Sequence, residues 1–230
     1  MSSIDEPAGR HYVEVETDGQ VYWGYTSVPP PETPCCVDGL RGLPAQAMTG
    51  AAFHEAGHAV AAFHAGMPAT AAEITAMAPC SRCGAPKARG RNIGMNLGIC
   101  AAQDTLLVLA AGVQAELLWA ETQGHLSDAH RWAIEVGGLD DQGVARFTAL
   151  SIVVVWEPLD YGPAGADPRP WNWPHQEHRA RTTAVAWWPQ IEAVATQLQL
   201  TTQLSDAEVL KILESVPIGH ADDIAAYGVG

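Results

Sequence analysis

Polar and apolar residues alternate along HYVEVETDGQVYWGY, residues 11–25, with Asp18-Gly19 at the centre. A period of two turns one face of a strand to a core, and Asp-Gly favours a type I′ turn, so the segment predicts a β-hairpin. The run Pro29-Pro30-Pro31-Glu32-Thr33-Pro34 then breaks the chain as a stiff linker, giving a first segment at residues 1–34. From there the pattern turns helical. Ala51 to Ala65 is rich in alanine, Thr49 offers an N-cap, and Gly66 followed by Pro68 is a stop signal, which predicts a helix of about four turns. Residues 104–122, DTLLVLAAGVQAELLWAET, read as a buried helix that carries Glu116 in its apolar stretch, where a carboxylate needs a partner.

Ser127 caps a further helix to about Val136 with Asp128 in its first turn, and residues 141–156 form another apolar helix. Helices at about 176–199 and 205–215 follow, the second opened by Ser205 with Glu208 as a capping box. Ile93-Gly94-Met95-Asn96-Leu97 reads as an exposed strand, and Pro158 to Pro174 as a Pro/Gly/Trp loop that could line a cleft. The fold class is therefore mainly α-helical with a small hairpin and edge-strand element. Residues 35–157 form the core, and residues 158–230 supply the Trp/Pro-rich loop and C-terminal helices packed on it. No internal repeat is visible.

A chain of 230 residues with 47% apolar content can build one compact core. Twelve basic residues against 26 acidic ones leave a net charge of −14, which argues against nucleic acid and anionic membrane surfaces and favours a basic or neutral substrate. No G-x-x-x-x-G-K-[ST] loop occurs, so no built-in ATPase is expected. No apolar run reaches the ~18–20 residues of a membrane span, and MSSIDEPAG is not a signal peptide, so a cytoplasmic protein is expected.

The chemistry concentrates in Phe53-His54-Glu55-Ala56-Gly57-His58-Ala59. Residues i and i+4 share a helix face, so His54 and His58 can offer their imidazoles to one tetrahedral zinc. Glu55 is turned to one side of that pair, where it can take a proton from water that the metal has acidified. A third protein ligand is required. His64 has the spacing of the third histidine in H-E-x-x-H-x-x-G-x-x-H, but Ala61 stands where that signature has its turning glycine. The helix then continues and carries His64 off the ligand face, about 9 Å along the axis from His58. Spacing alone does not choose between the remaining candidates, Glu116 and Asp128.

The order of these segments resembles the peptidase domain of FtsH, the membrane-bound AAA+ zinc protease. HEAGHAV at 54–60 is similar to that family's HEAGHA motif, Ala110-Ala111-Gly112-Val113-Gln114-Ala115-Glu116 resembles its GGRAAEE helix, and Ser127-Asp128 resembles its SND segment. The resemblance spans about residues 45–150. It implies a helical zincin domain with His54, His58 and Asp128 as zinc ligands, Glu55 as the catalytic acid and base, and Glu116 in a supporting place. It further implies a strand beside the site to which substrate peptides can add. The function expected is ATP-independent hydrolysis of peptide bonds. A zinc hydrolase or cyclase acting on a small amide, and a non-catalytic metal-containing regulator, are the alternatives. A homo-oligomer and a separate substrate-presenting partner are candidate associations.

Two features stand apart from that site. Cys80-Ser81-Arg82-Cys83 is a C-x-x-C turn, and with Cys35, Cys36 or Cys100 it could hold a second, structural zinc. Trp156, Trp171, Trp173, Trp187 and Trp188 crowd one region, where they either bind an apolar substrate group or pin the loop to the core.

Overall fold

The computed structural model describes residues 9–17, 19–32, 44–80, 84–97, 101–152, 158–163, 165 and 169–219. Strands β1 (His11–Thr17) and β2 (Gln20–Thr26) pair antiparallel with Thr17 opposite Gln20. That register leaves a two-residue loop, and Gly19 takes the positive φ of 75° that such a loop demands.

Helix α1 (Pro44–His64) lies at the centre of the fold. It begins earlier than the sequence pattern predicts, so Thr49 is not an N-cap but an interior residue whose hydroxyl donates to Gln199 Oε1 at 3.0 Å. Small side chains allow close packing on every side, and Ala52, Ala56, Ala59 and Val60 are fully buried. Helix α2 (Ala102–Thr122) runs across one side of α1. Phe53, next to the first histidine, stacks between Trp119 of α2 at 5.7 Å and Trp188 at 5.2 Å. These contacts lock the rotation of α1 and hence the direction of the next side chain; each aromatic pair adds about 0.5–1.5 kcal/mol beyond its buried area.

Strands β3 (Ala71–Met77) and β4 (Lys87–Ile93) form a hairpin against α1 and, with the two-residue β5 (Gln203–Leu204), make a sheet in the order β4-β3-β5. The short β5 is therefore one edge of the sheet, and Lys87–Ile93 is the other. The stretch Gly94 to Leu97, expected to be strand, lies beyond it, because Gly94 adopts a positive φ that ends the pairing. Helices α3 (Asp128–Gly137) and α4 (Leu139–Ile152) follow α2. The β1–β2 hairpin docks on both: Gln142 exchanges two hydrogen bonds with the backbone of Tyr25, and Glu135 accepts from the amide and hydroxyl of Ser27.

The predicted helix at 176–199 is two helices, α5 (Trp173–Ala186) and α6 (Trp188–Thr201). Pro189 has no amide hydrogen for the helical ladder, so the chain restarts at Trp187–Trp188. Helix α7 (Asp206–Ser215) opens with the Ser205/Glu208 capping box. Trp173 and Trp188 are buried in the core and Trp187 stacks on His64, whereas Trp156 lies outside the described residues. The molecule is thus mostly helical with two small sheets, and no helix among the described residues is long and apolar enough to cross a membrane.

Candidate metal centre

Helix α1 presents His54 and His58 on the face that crosses α2. Their Nδ1 atoms are both engaged. His58 Nδ1 donates to the carbonyl of Val108 at 2.8 Å and His54 Nδ1 donates to Glu116 Oε2 at 3.2 Å. A carbonyl can only accept, so His58 keeps a proton on Nδ1, and Nε2 is the nitrogen that can give up its proton and offer a lone pair to a metal. The Glu116 carboxylate orients His54 in the same way, which gives this fully buried acid its partner.

Both Nε2 atoms converge on one carboxylate, and it belongs to Asp141. Asp141 Oδ2 lies 3.2 Å from His54 Nε2 and 3.3 Å from His58 Nε2, and the three donors lie within 4.8 Å of one another. A tetrahedral zinc with bonds of ~2.0–2.1 Å separates its ligand atoms by about 3.3 Å. The two carboxylate-to-imidazole separations therefore match the edge of that polyhedron, and the two imidazole nitrogens lie within 4.8 Å of each other. The floor is cut to shape as well: at Gly112 of α2 a β-carbon would stand 2.4 Å from His58 Nε2 and 2.7 Å from His54 Nε2. Glycine leaves room for both ring nitrogens where any other residue would intrude.

Asp128 is not brought to this centre. It is exposed in the first turn of α3, where it complements the helix dipole. Among the described residues the carboxylate that joins the two histidines is that of Asp141, in the first turn of α4. The physical reason is the length of α3: ten residues span about 15 Å, and it is the far end of that helix, at Val136 and Gly137, that borders the site. Asp140-Asp141 after Gly137-Gly138 carries the same local signal as Ser127-Asp128, an acid opening a helix. Only tertiary packing distinguishes them. His64 also lies away from the centre, with Nε2 2.7 Å from Gln190 Oε1.

Burial opposes charge on both imidazoles, yet the carboxylates prevail. Asp141 and Glu116 hold the proton affinity of His54 well above its ordinary value, and Asp141 raises that of His58 against the repulsion of His54. Burial would raise the Asp141 pKa, but His58 and His54 together pull it far below the usual carboxylate range. Such a cluster is a concentration of negative charge balanced by protons that a dication can replace. The donor types, the orientation of both rings and the two carboxylate-to-imidazole separations fit a divalent metal.

Glu55 lies beside the cluster and is buried. Asn92 of β4 donates to Glu55 Oε2 at 2.6 Å and to its backbone carbonyl at 3.1 Å, while Thr70 donates to Asn92 Oδ1 at 3.0 Å. At Gly90 a β-carbon would lie 2.5 Å from Glu55 Oε1, so β4 can pass directly over the acid only with glycine there. Burial raises the proton affinity of Glu55, while His54, His58 and the Asn92 bond draw it back.

The group opens into a cleft of about 520 Å³, with β4 along one side and Val15, Gln20 and Tyr22 of the N-terminal hairpin among its lining residues. No described part of the Pro158–Pro174 loop lines it; Leu159, Tyr161 and Trp173 are core residues instead. Of the candidate second zinc site only Cys80 is described, as a buried residue, and Cys35, Cys36, Cys83 and Cys100 lie outside the described residues. No protein-family model matches the chain and no curated protein matches it.

Proposed function

We propose that the chain is a zinc-dependent hydrolase of peptide bonds, with His54, His58 and Asp141 as the metal ligands and Glu55 as the acid and base. The observation that carries this reading is the convergence of two oriented Nε2 atoms and one carboxylate oxygen beside a buried acid that is not itself part of the ligand set. A purely structural metal site has four protein ligands and no use for such an acid. The likeness of residues 54–60 to the FtsH peptidase motif supports the same reading, with Asp141 rather than Asp128 as the third ligand.

When bound, zinc would acidify water and polarise a carbonyl. The remaining work falls to this chain. Glu55, held by Asn92, accepts a proton from the attacking water and delivers it to the leaving nitrogen. Burial raises its proton affinity above that of an ordinary glutamate, which favours accepting the proton. Glu116 and the Val108 carbonyl fix the two imidazoles, and β4 offers its outer edge to an extended chain through main-chain hydrogen bonds. That open edge supports a peptide over a small enclosed metabolite. An extended segment that is unfolded or flexible would fit that edge, and the site of action in this reading is the cytoplasm.

The test is hydrolysis of a quenched fluorescent peptide library by zinc-loaded protein, wild type against Glu55→Gln. Cleavage by the wild type and a loss of about 10²–10⁴-fold in Glu55→Gln, with zinc content unchanged, is the expected result. Equal cleavage by both proteins, or none by the wild type, would overturn the proposal.

A further inference from the structure

Net charge alone favours a basic or neutral substrate, yet the wall of the cleft is locally basic. Lys87, Arg89 and Arg91 lie at alternate positions of β4 and all three border the cleft. They make up a quarter of the 12 basic residues in the chain, gathered within one strand. Alternation puts them on one face of β4, opposite the face on which Gly90 and Asn92 meet Glu55.

The strand already shows what this face takes as a neighbour. On its paired side Arg91 stands opposite Glu73 of β3, and the two side chains form an ion pair at 2.5 Å. The residues of β3 opposite Arg89 and Lys87 are Thr75 and Met77, which carry no charge. On the other side β4 is the edge of its sheet, and among the described residues no strand pairs with it there. A chain added to that edge would set every second side chain directly across from Lys87 and Arg89, about 4.5–5.5 Å away between β-carbons.

We infer that β4 selects an extended peptide with acidic side chains at alternating positions, paired across the edge to Lys87 and Arg89. The inference rests on the peptide-cleaving reading above and adds to it the class of substrate. Lys87 and Arg89 are specificity residues in this account, distant from the reacting atoms. The acidic side chains of the substrate would lie along the rim, away from the carboxylates of the floor, and its main chain would lie toward the metal. Each such pair is exposed, so the preference is modest, about two- to fivefold per pair, and weakens with salt.

Binding separates this inference from catalysis. Zinc-loaded Glu55→Gln protein is titrated, with fluorescence anisotropy as readout, into labelled ten-residue peptides that carry Glu, Gln or Lys at alternate positions on a Thr/Val background. The expected order is Glu tighter than Gln tighter than Lys, with the Glu-over-Gln ratio falling toward one in 0.5 M salt. In a Lys87→Glu/Arg89→Glu double variant, checked for unchanged zinc content and circular dichroism, the order reverses. Equal binding of the Glu and Gln peptides, survival of the preference in the double variant, or no binding of any peptide would overturn the inference. Cleavage of the Gln peptide by wild-type protein is scored separately. Its absence alongside a retained Glu preference would sink the catalytic reading and leave the acidic-strand surface standing.

Discussion

Replacing Gly112 with alanine adds one methyl group at the point where both imidazoles converge. The new carbon would lie 2.4 Å from His58 Nε2 and 2.7 Å from His54 Nε2, whereas ordinary contact begins near 3.4 Å, so the rings must retreat by up to about 1 Å. Metal sites tolerate about 0.2 Å in their bond lengths. The zinc affinity of Gly112→Ala should fall by more than about 100-fold, or about 2.8 kcal/mol. Its fold should survive, because alanine in the interior of α2 gains up to about 1 kcal/mol of helix propensity over glycine. Competition against a chromophoric chelator gives the affinity, and denaturant unfolding of the metal-free protein gives the stability. Zinc affinity within threefold of wild type in a normally folded Gly112→Ala would refute the idea that this glycine is the floor of a metal site.

Other outcomes follow from the same geometry. The raised proton affinity of His54 adds stability to the metal-free protein below the ordinary histidine pKa, and this is lost as pH rises through the raised value. The depressed Asp141 adds stability above the ordinary aspartate pKa that is lost as pH falls toward the lowered one. The metal-free cluster is thus strongest between about pH 4 and 6.5. Because zinc displaces those protons, the rise in Tm on adding zinc should grow from pH 6 to pH 8, and a constant rise across that range would contradict the assigned ligands. Asn92→Ala should leave zinc content intact and lower kcat by roughly tenfold or more by loosening Glu55; a change in KM alone would show that Asn92 does not position the acid. Phe53→Ala removes the central ring of the Trp119/Trp188 stack and should cost about 3–5 kcal/mol in chemical denaturation, so a loss under 1 kcal/mol would mean that the stack does not hold α1.

Local pattern carried the elements further than it carried the site. The hairpin was legible because Asp18-Gly19 sits between alternating runs, and α7 because Ser205 and Glu208 cap each other through local bonds. The break between α5 and α6 was signalled by Pro189 but hidden by the apolar residues on both sides. Within α1 the spacing of His54 and His58 places both on one face by helix geometry alone. The third ligand has no such spacing. Asp128 and Asp141 both open helices, and the choice depends on how α3 crosses α2, which no short-range pattern encodes. The basic stripe on β4 escaped for a related reason: net charge averages over the chain, whereas Lys87 and Arg89 act at one edge. The aromatic cluster had two readings, and for Trp173 and Trp188 burial decides for the core.

Everything proposed for this chain depends on His54, His58 and Asp141 together holding one metal ion. Elemental analysis is made of purified wild-type, Asp141→Ala and Asp128→Ala proteins, each equilibrated with equimolar zinc and a chelator that binds zinc more weakly than the wild type, and then desalted. Zinc is expected in the wild type and in Asp128→Ala and is expected to be lost from Asp141→Ala. Zinc retained by Asp141→Ala and lost from Asp128→Ala, or no zinc in any of the three, would contradict that assignment.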